Sequence, residues 1–96
     1  MITVQEIIKS CPFQNYVDIY LYVEGNCVWD YKEGKKSILL ISETPCIENE
    51  KVTLQELIDY SNELDYPNDI LTLECEQEML PLKSYEWLDK KLILFY

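Results

Sequence analysis

Two stretches fifty residues apart spell nearly the same thing: Ile2-Thr-Val-Gln-Glu-Ile-Ile8 and Val52-Thr-Leu-Gln-Glu-Leu-Ile58. Each fits the S/T-x-x-E capping box, in which a threonine hydroxyl takes the amide three residues on and the glutamate reaches back to the cap amide. The residue before each threonine and the fourth helical residue are apolar, as a hydrophobic staple requires. Two helix starts are therefore expected, at Thr3 and Thr53. The first helix turns Val4, Ile7, Ile8 and Cys11 inward and ends at Pro12. The second carries Leu54, Leu57, Ile58, Ser61 and Leu64 on one side and Glu56, Asp59 and Glu63 on the other, and stops before Pro67.

An extended run follows each helix. Val17–Val23 alternates Val17, Ile19, Leu21 and Val23 with Asp18, Tyr20 and Tyr22, then turns at Glu24-Gly25-Asn26; 69–75 alternates Leu71, Leu73 and Cys75 with Thr72, Glu74 and Glu76 beyond it. Both read as strands with one buried face. Each half then has a tryptophan (Trp29, Trp87), a Lys-Lys pair and a closing apolar strand, 35–41 and 90–96. The expected fold class is α+β: one domain, 1–96, of two pseudo-repeated α-β-β-β units at 1–42 and 52–96. A linker at 43–51 joins them, and the helices pack on an antiparallel sheet. One unit of roughly 45 residues lies near the lower limit for a stable core, and two together make an ordinary small domain. Coincidence of two ordinary helix starts also accounts for the matching blocks, so both readings stand at this level.

The chain has no arginine, no histidine and a formal charge of −10. Without histidine there is no Ser-His-Asp, Cys-His or H-E-x-x-H site, and Gly25 and Gly34 alone build no glycine-rich phosphate loop. Neither an enzyme nor a cofactor is expected. Scattered lysines without the guanidinium fork make a poor nucleic-acid surface, so direct nucleic-acid binding is not expected either. No apolar run approaches the length of a membrane span and no signal peptide is recognisable, which points to the cytoplasm. The four cysteines, Cys11, Cys27, Cys46 and Cys75, lie far apart without C-x-x-C and read as buried thiols rather than disulfides or metal ligands.

The acid is unevenly placed. Between Glu43 and Met79 sit eleven acidic residues and one base, Lys51, whereas the rest of the chain balances at seven of each sign. Glu56, Asp59 and Glu63 form one outward helical stripe, with Asp65 just beyond it. On the following strand Glu74, Glu76 and Glu78 are expected to point the same way, about 6.8 Å apart. That is near twice the roughly 3.4 Å rise per phosphate of a DNA strand, so such a row imitates a nucleic-acid backbone. The same residues also read as ordinary solvated surface or as protection of a sheet edge. Tyr60 and Tyr66 lie beside the acidic helix and Tyr20 and Tyr22 share a strand face; tyrosine suits an interface, and also a half-covered core.

The segments T-V-Q-E-I-I, Y-V-D-I-Y and L-K-S-Y-E-W-L-D-K-K-L-I-L-F-Y resemble small uncharacterised proteins of prophages and mobile elements of Gram-positive bacteria. The likeness covers 2–23 and 82–96. It implies a setting in which small acidic proteins look like inhibitors of host defence, including anti-CRISPR proteins and anti-restriction DNA mimics. The expected function is therefore a phage-encoded acidic inhibitor in the cytoplasm of a bacterial host. Its target is a basic protein, a nuclease or CRISPR effector, bound through Glu56, Asp59, Glu63, Asp65, Glu74, Glu76, Glu78, Tyr60 and Tyr66. An immunity protein or antitoxin against a cognate toxin, and a phage assembly or homodimerisation module using an open sheet edge or the Tyr20/Tyr22 face, are the alternatives.

Overall fold

The computed structural model describes residues 1–43, 51–78 and 80–96. Helix α1 spans Val4–Ser10 and α2 spans Leu54–Glu63. At each start the threonine hydroxyl accepts the predicted bond, Thr3 Oγ1 from the Glu6 amide at 3.1 Å and Thr53 Oγ1 from the Glu56 amide at 3.2 Å. A cap of this kind stabilises by about 1 kcal/mol. Ile2, Ile7, Val52 and Leu57 are all buried, as staple residues should be. Because α1 has only seven residues, its packing holds it rather than its propensity.

The strands are β1 (Tyr20–Val23), β2 (Asn26–Glu33), β3 (Ser37–Glu43), β4 (Thr72–Cys75), β5 (Leu80–Pro81), β6 (Ser84–Leu88) and β7 (Lys91–Phe95). They form one sheet in the order β5-β4-β3-β2-β1-β7-β6. The sheet is mixed, which corrects the expectation of an antiparallel one: β3 pairs parallel with β4, and β1 parallel with β7. Both parallel pairings join the first half of the chain to the second, where a long connection removes the hairpin's constraint to run antiparallel.

The two outermost strands, β5 and β6, are successive pieces of one extended segment. Between them the Leu82 amide donates to the Leu73 carbonyl (3.0 Å) and the Lys83 amide to the Phe95 carbonyl (2.8 Å). The sheet thus curls until its ends meet, and no long edge is left open among the described strands.

Corresponding residues of the two halves make corresponding bonds across the join. The Leu73 amide donates to Ile2 (2.9 Å) and the Leu21 amide to Val52 (3.1 Å); the Val4 amide donates to Leu71 (3.0 Å) and the Leu54 amide to Ile19 (2.8 Å). Lys36 and Lys90, both at positive φ (55° and 59°), offer their carbonyls to the Thr72 and Tyr20 amides at the starts of the parallel ladders. One core runs through both halves, with Ile2, Leu21, Ile38, Leu54, Leu73 and Leu92 among its fully buried members.

Three local expectations need correction. Val17 and Asp18 lie in a 3₁₀ turn, Tyr16–Asp18, not on a strand, and Val17 is exposed: the Asn15 side chain caps the turn through the Val17 amide (3.4 Å) and donates to the Asp18 carboxylate (2.8 Å). The strand expected from Asp69 starts at Thr72, because the Pro67 carbonyl takes the Ile70 and Leu71 amides (3.0 and 3.2 Å) in a turn that leaves Ile70 exposed. Cys11 and Cys75 are free thiols, but Cys27 is disulfide-bonded, since sequence spacing does not reveal which cysteines the fold brings together. Cys46 and most of the expected linker lie outside the described residues.

Candidate partner-binding face

Helix α2 buries Leu54, Leu57 and Ser61, which leaves Glu56, Asp59 and Glu63 exposed along its outer side. Asp65 is exposed just past the helix end, and Tyr66 is half-buried against the core. The charged stripe is not alone. Strand β2 brings Asp30, Tyr31 and Glu33 alongside, and the Tyr31 and Tyr60 rings meet in a tilted pair with centroids 4.7 Å apart and planes at 52°. The Tyr31 hydroxyl donates to Glu56 Oε2 at 3.2 Å, and Gln55 Nε2 donates to Asp59 Oδ1 at 2.9 Å along the helix. The result is a pair of half-buried phenols ringed by carboxylates.

The electrostatics record that ring of charge. Burial holds the Tyr31 phenol above its ordinary pKa, and the Glu56 carboxylate adds to this by charge and hydrogen bond, followed by Asp30 and Glu63. Tyr60 is raised by burial first and then by Glu33 and Glu63. A raised folded-state pKa means that the folded protein holds its proton where the unfolded chain has released it. Stability from these phenols is therefore complete below about pH 10 and falls as pH rises beyond it. An ultraviolet titration of tyrosinate should show a late-ionising fraction that Tyr31→Phe and Tyr60→Phe reduce, leaving the contribution of Tyr96, whose phenol is raised by the nearby Glu24 carboxylate first; ionisation of all eight tyrosines near pH 10 would refute the assigned environment.

The expected row of Glu74, Glu76 and Glu78 does not form. Glu74 is half-buried on β4, but the strand ends at Cys75 and residues 76–78 turn away. The cause is Gln77, whose side-chain amide bonds the Ser42 backbone through both its nitrogen and its oxygen and so fastens the turn to β3. Glu76 is neutralised by Lys32 at 2.8 Å, and Glu78 sits exposed in the turn. Spacing that matches a phosphate backbone is thus absent from this strand.

Tyr20 and Tyr22 project from β1 into a different environment. Lys51 Nζ lies 5.5 Å from the Tyr20 ring centroid and 6.0 Å from that of Tyr22, and Lys91 Nζ lies 5.5 Å from Tyr22. These tyrosines belong to a basic patch. Tyr31, Asp30 and Glu33 were invisible to sequence reasoning, because nothing local says that β2 runs beside α2. The run Asp30-Tyr-Lys-Glu33 was the available signal, and its net negative charge was offset by lysines elsewhere in the count.

Among the described residues no helix is long and apolar enough to cross a membrane, and no group of three or more cysteine and carboxylate side chains is placed to hold a metal ion. Comparison with protein-family models, curated proteins and solved structures finds no match to this chain.

Proposed function

We propose that this protein is a stoichiometric inhibitor whose acidic α2–β2 face occupies a basic, nucleic-acid-binding groove of a bacterial defence nuclease such as a CRISPR effector. The observation that carries the reading is the carboxylate ring of Glu56, Glu63, Asp30 and Glu33 around the Tyr31–Tyr60 pair. Carboxylates steer a basic partner and pair with its lysines and arginines, while phenol rings supply rigid contact area and a face for a guanidinium. Mimicry here rests on the helix and its β2 neighbours, not on the strand glutamates.

The finer architecture belongs to the same proposal: two α-β-β-β units related by an approximate two-fold axis, each lending its first strand to the other's last. The matched bonds Leu73–Ile2 and Leu21–Val52 support it. A phage origin and a bacterial cytoplasmic setting complete the reading. The disulfide at Cys27 sets a condition on that setting, because cytoplasmic thiols are ordinarily kept reduced.

Affinity capture from a bacterial lysate, eluted with rising salt and identified by mass spectrometry, tests the function. A nuclease or CRISPR effector should elute by about 0.5 M salt, where the screening length is only about 4 Å. Recovery of no nucleic-acid enzyme from hosts that carry such systems would overturn the inhibitor reading.

A further inference from the structure

Alternation along the β6–β7 hairpin sends Tyr85, Trp87, Leu92 and Leu94 to the core, which Leu54 and Leu57 of α2 and Val4 and Ile7 of α1 share. Glu86, Leu88, Lys91 and Ile93 therefore point to the other side of the sheet, away from both helices. Glu86 and Lys91 are exposed, Ile93 is half-buried, and Leu88 is 44% exposed.

Pairing fixes how these four side chains sit. Glu86 lies beside Ile93 and Leu88 beside Lys91. Rows two residues apart are separated by about 6.8 Å and neighbouring strands by about 4.8 Å, so the four occupy the corners of a small rectangle. Its two opposite charges stand on one diagonal and its two aliphatic groups on the other. Glu86 and Lys91 make no ion pair with each other, and the Lys91 ammonium lies 5.5 Å from the centroid of the Tyr22 ring on the next strand.

We infer that this side of β6 and β7 is a docking surface for a second copy of the chain. Turned over about a two-fold axis along the aliphatic diagonal, the rectangle is complementary to itself. The Leu88 side chains of the two copies meet on the axis, as do the two Ile93 side chains, and each Glu86 faces the other copy's Lys91. The long glutamate and lysine side chains take up the difference between the two spacings. Such a contact closes at two chains and does not run on as a filament.

Charge selects the occupant. With a net charge of −10, two copies brought together over their acidic surfaces repel. The outward side of β6 and β7 holds one charge of each sign, so it draws neither a polyanion nor a polycation, and its two charges are placed to pair across a two-fold axis. Two strands offer less than the roughly 800 Å² per partner of a standard interface, so the dimer is a weak and reversible one. The inference does not rest on the inhibitor reading: α2 lies on the opposite side of the sheet, and the dimer leaves both of its acidic faces open.

Sedimentation equilibrium tests it at about 0.15 M salt, where the screening length of about 8 Å damps repulsion between distant charges across a molecule 31 Å long. Chain concentrations up to about 1 mM suit an interface of this size, and the wild type should reach the mass of two chains within them. Glu86→Lys and Lys91→Glu should each weaken dimerisation at least about ten-fold, because like charges then face each other twice. Glu86→Lys does so while bringing the net charge nearer to zero, which separates the patch from general repulsion. The swap Glu86→Lys/Lys91→Glu, and an equimolar mixture of the two single variants, should dimerise at least as tightly as the wild type. Leu88→Glu, which sets two carboxylates on the axis, should abolish the dimer. All these positions are exposed, and circular dichroism checks the fold. A wild type that stays monomeric, a single variant or Leu88→Glu that dimerises as the wild type does, or a swap that stays monomeric overturns the proposal. So does a monomeric wild type whose Leu88 and Ile93 methyl resonances shift with phosphatidylcholine vesicles or oligolysine, which assigns the patch to a foreign occupant.

Discussion

Leu21→Ala should destabilise the protein by about 3 kcal/mol, and Leu73→Ala by a similar amount. Both side chains are fully buried, and each sits where a parallel pairing joins the halves: Leu21 beside Leu92, Leu73 beside Ile38. Truncation removes transfer free energy and leaves a cavity that a closed sheet has little freedom to collapse. Against a total stability of about 5–15 kcal/mol for a domain of this size, either change is large, and the melting temperature should fall by on the order of 15 °C. The two tryptophans report separately on the halves, Trp29 from β2 and Trp87 from β6. Followed in single-tryptophan versions, their melting curves should coincide in both alanine variants. If Leu21→Ala released Trp29 while Trp87 melted at its original temperature, the single shared core would be wrong.

The second large effect concerns the proposed target. Asp59→Lys/Glu63→Lys should weaken binding to the salt-eluted nuclease by about 100-fold, close to 3 kcal/mol, because two attractive contacts become repulsive and steering is reversed locally. Glu74→Lys/Glu78→Lys changes the net charge by the same amount at sites where the structure shows no row. Its cost should be only a few-fold, from general steering. Equal losses from the two pairs, read by surface plasmon resonance at fixed salt, would mean that net charge and not the α2–β2 face determines affinity.

What was legible in the sequence was local. Thr3 and Thr53 announced their helices because a capping bond closes within four residues, and the inward residues of β1 and β4, with Leu71 just before β4, followed from alternation: Leu21, Val23, Leu71, Leu73 and Cys75 are buried as read. Strand starts were misplaced where a turn outcompeted the alternating pattern, through the Asn15 side chain at one site and the Pro67 carbonyl at the other. The glutamate row failed for a related reason: Gln77 spends its side chain on Ser42, thirty-five residues away, and alternation cannot register so distant a bond. The acidic stripe of α2 was readable from helical spacing. Its neighbours Tyr31, Asp30 and Glu33 were not, because the Tyr31–Tyr60 contact exists only once β2 and α2 have been folded against each other.

Closure of the sheet also governs the order in which this chain can acquire its structure. Tyr20 pairs with Lys91 and Thr3 bridges Thr72, so partners that must meet early to make a core are made far apart in synthesis. Loop closure over such separations places folding on the slow side, from milliseconds to seconds, for a domain of this length. Until residues 80–95 have left the ribosome, β1 and β4 each lack a neighbour and present unpaired amides and carbonyls. The interval between synthesis of β4 and arrival of β7 is when this chain is most open to pairing with the wrong strand, and its repulsive negative charge protects it most during that time.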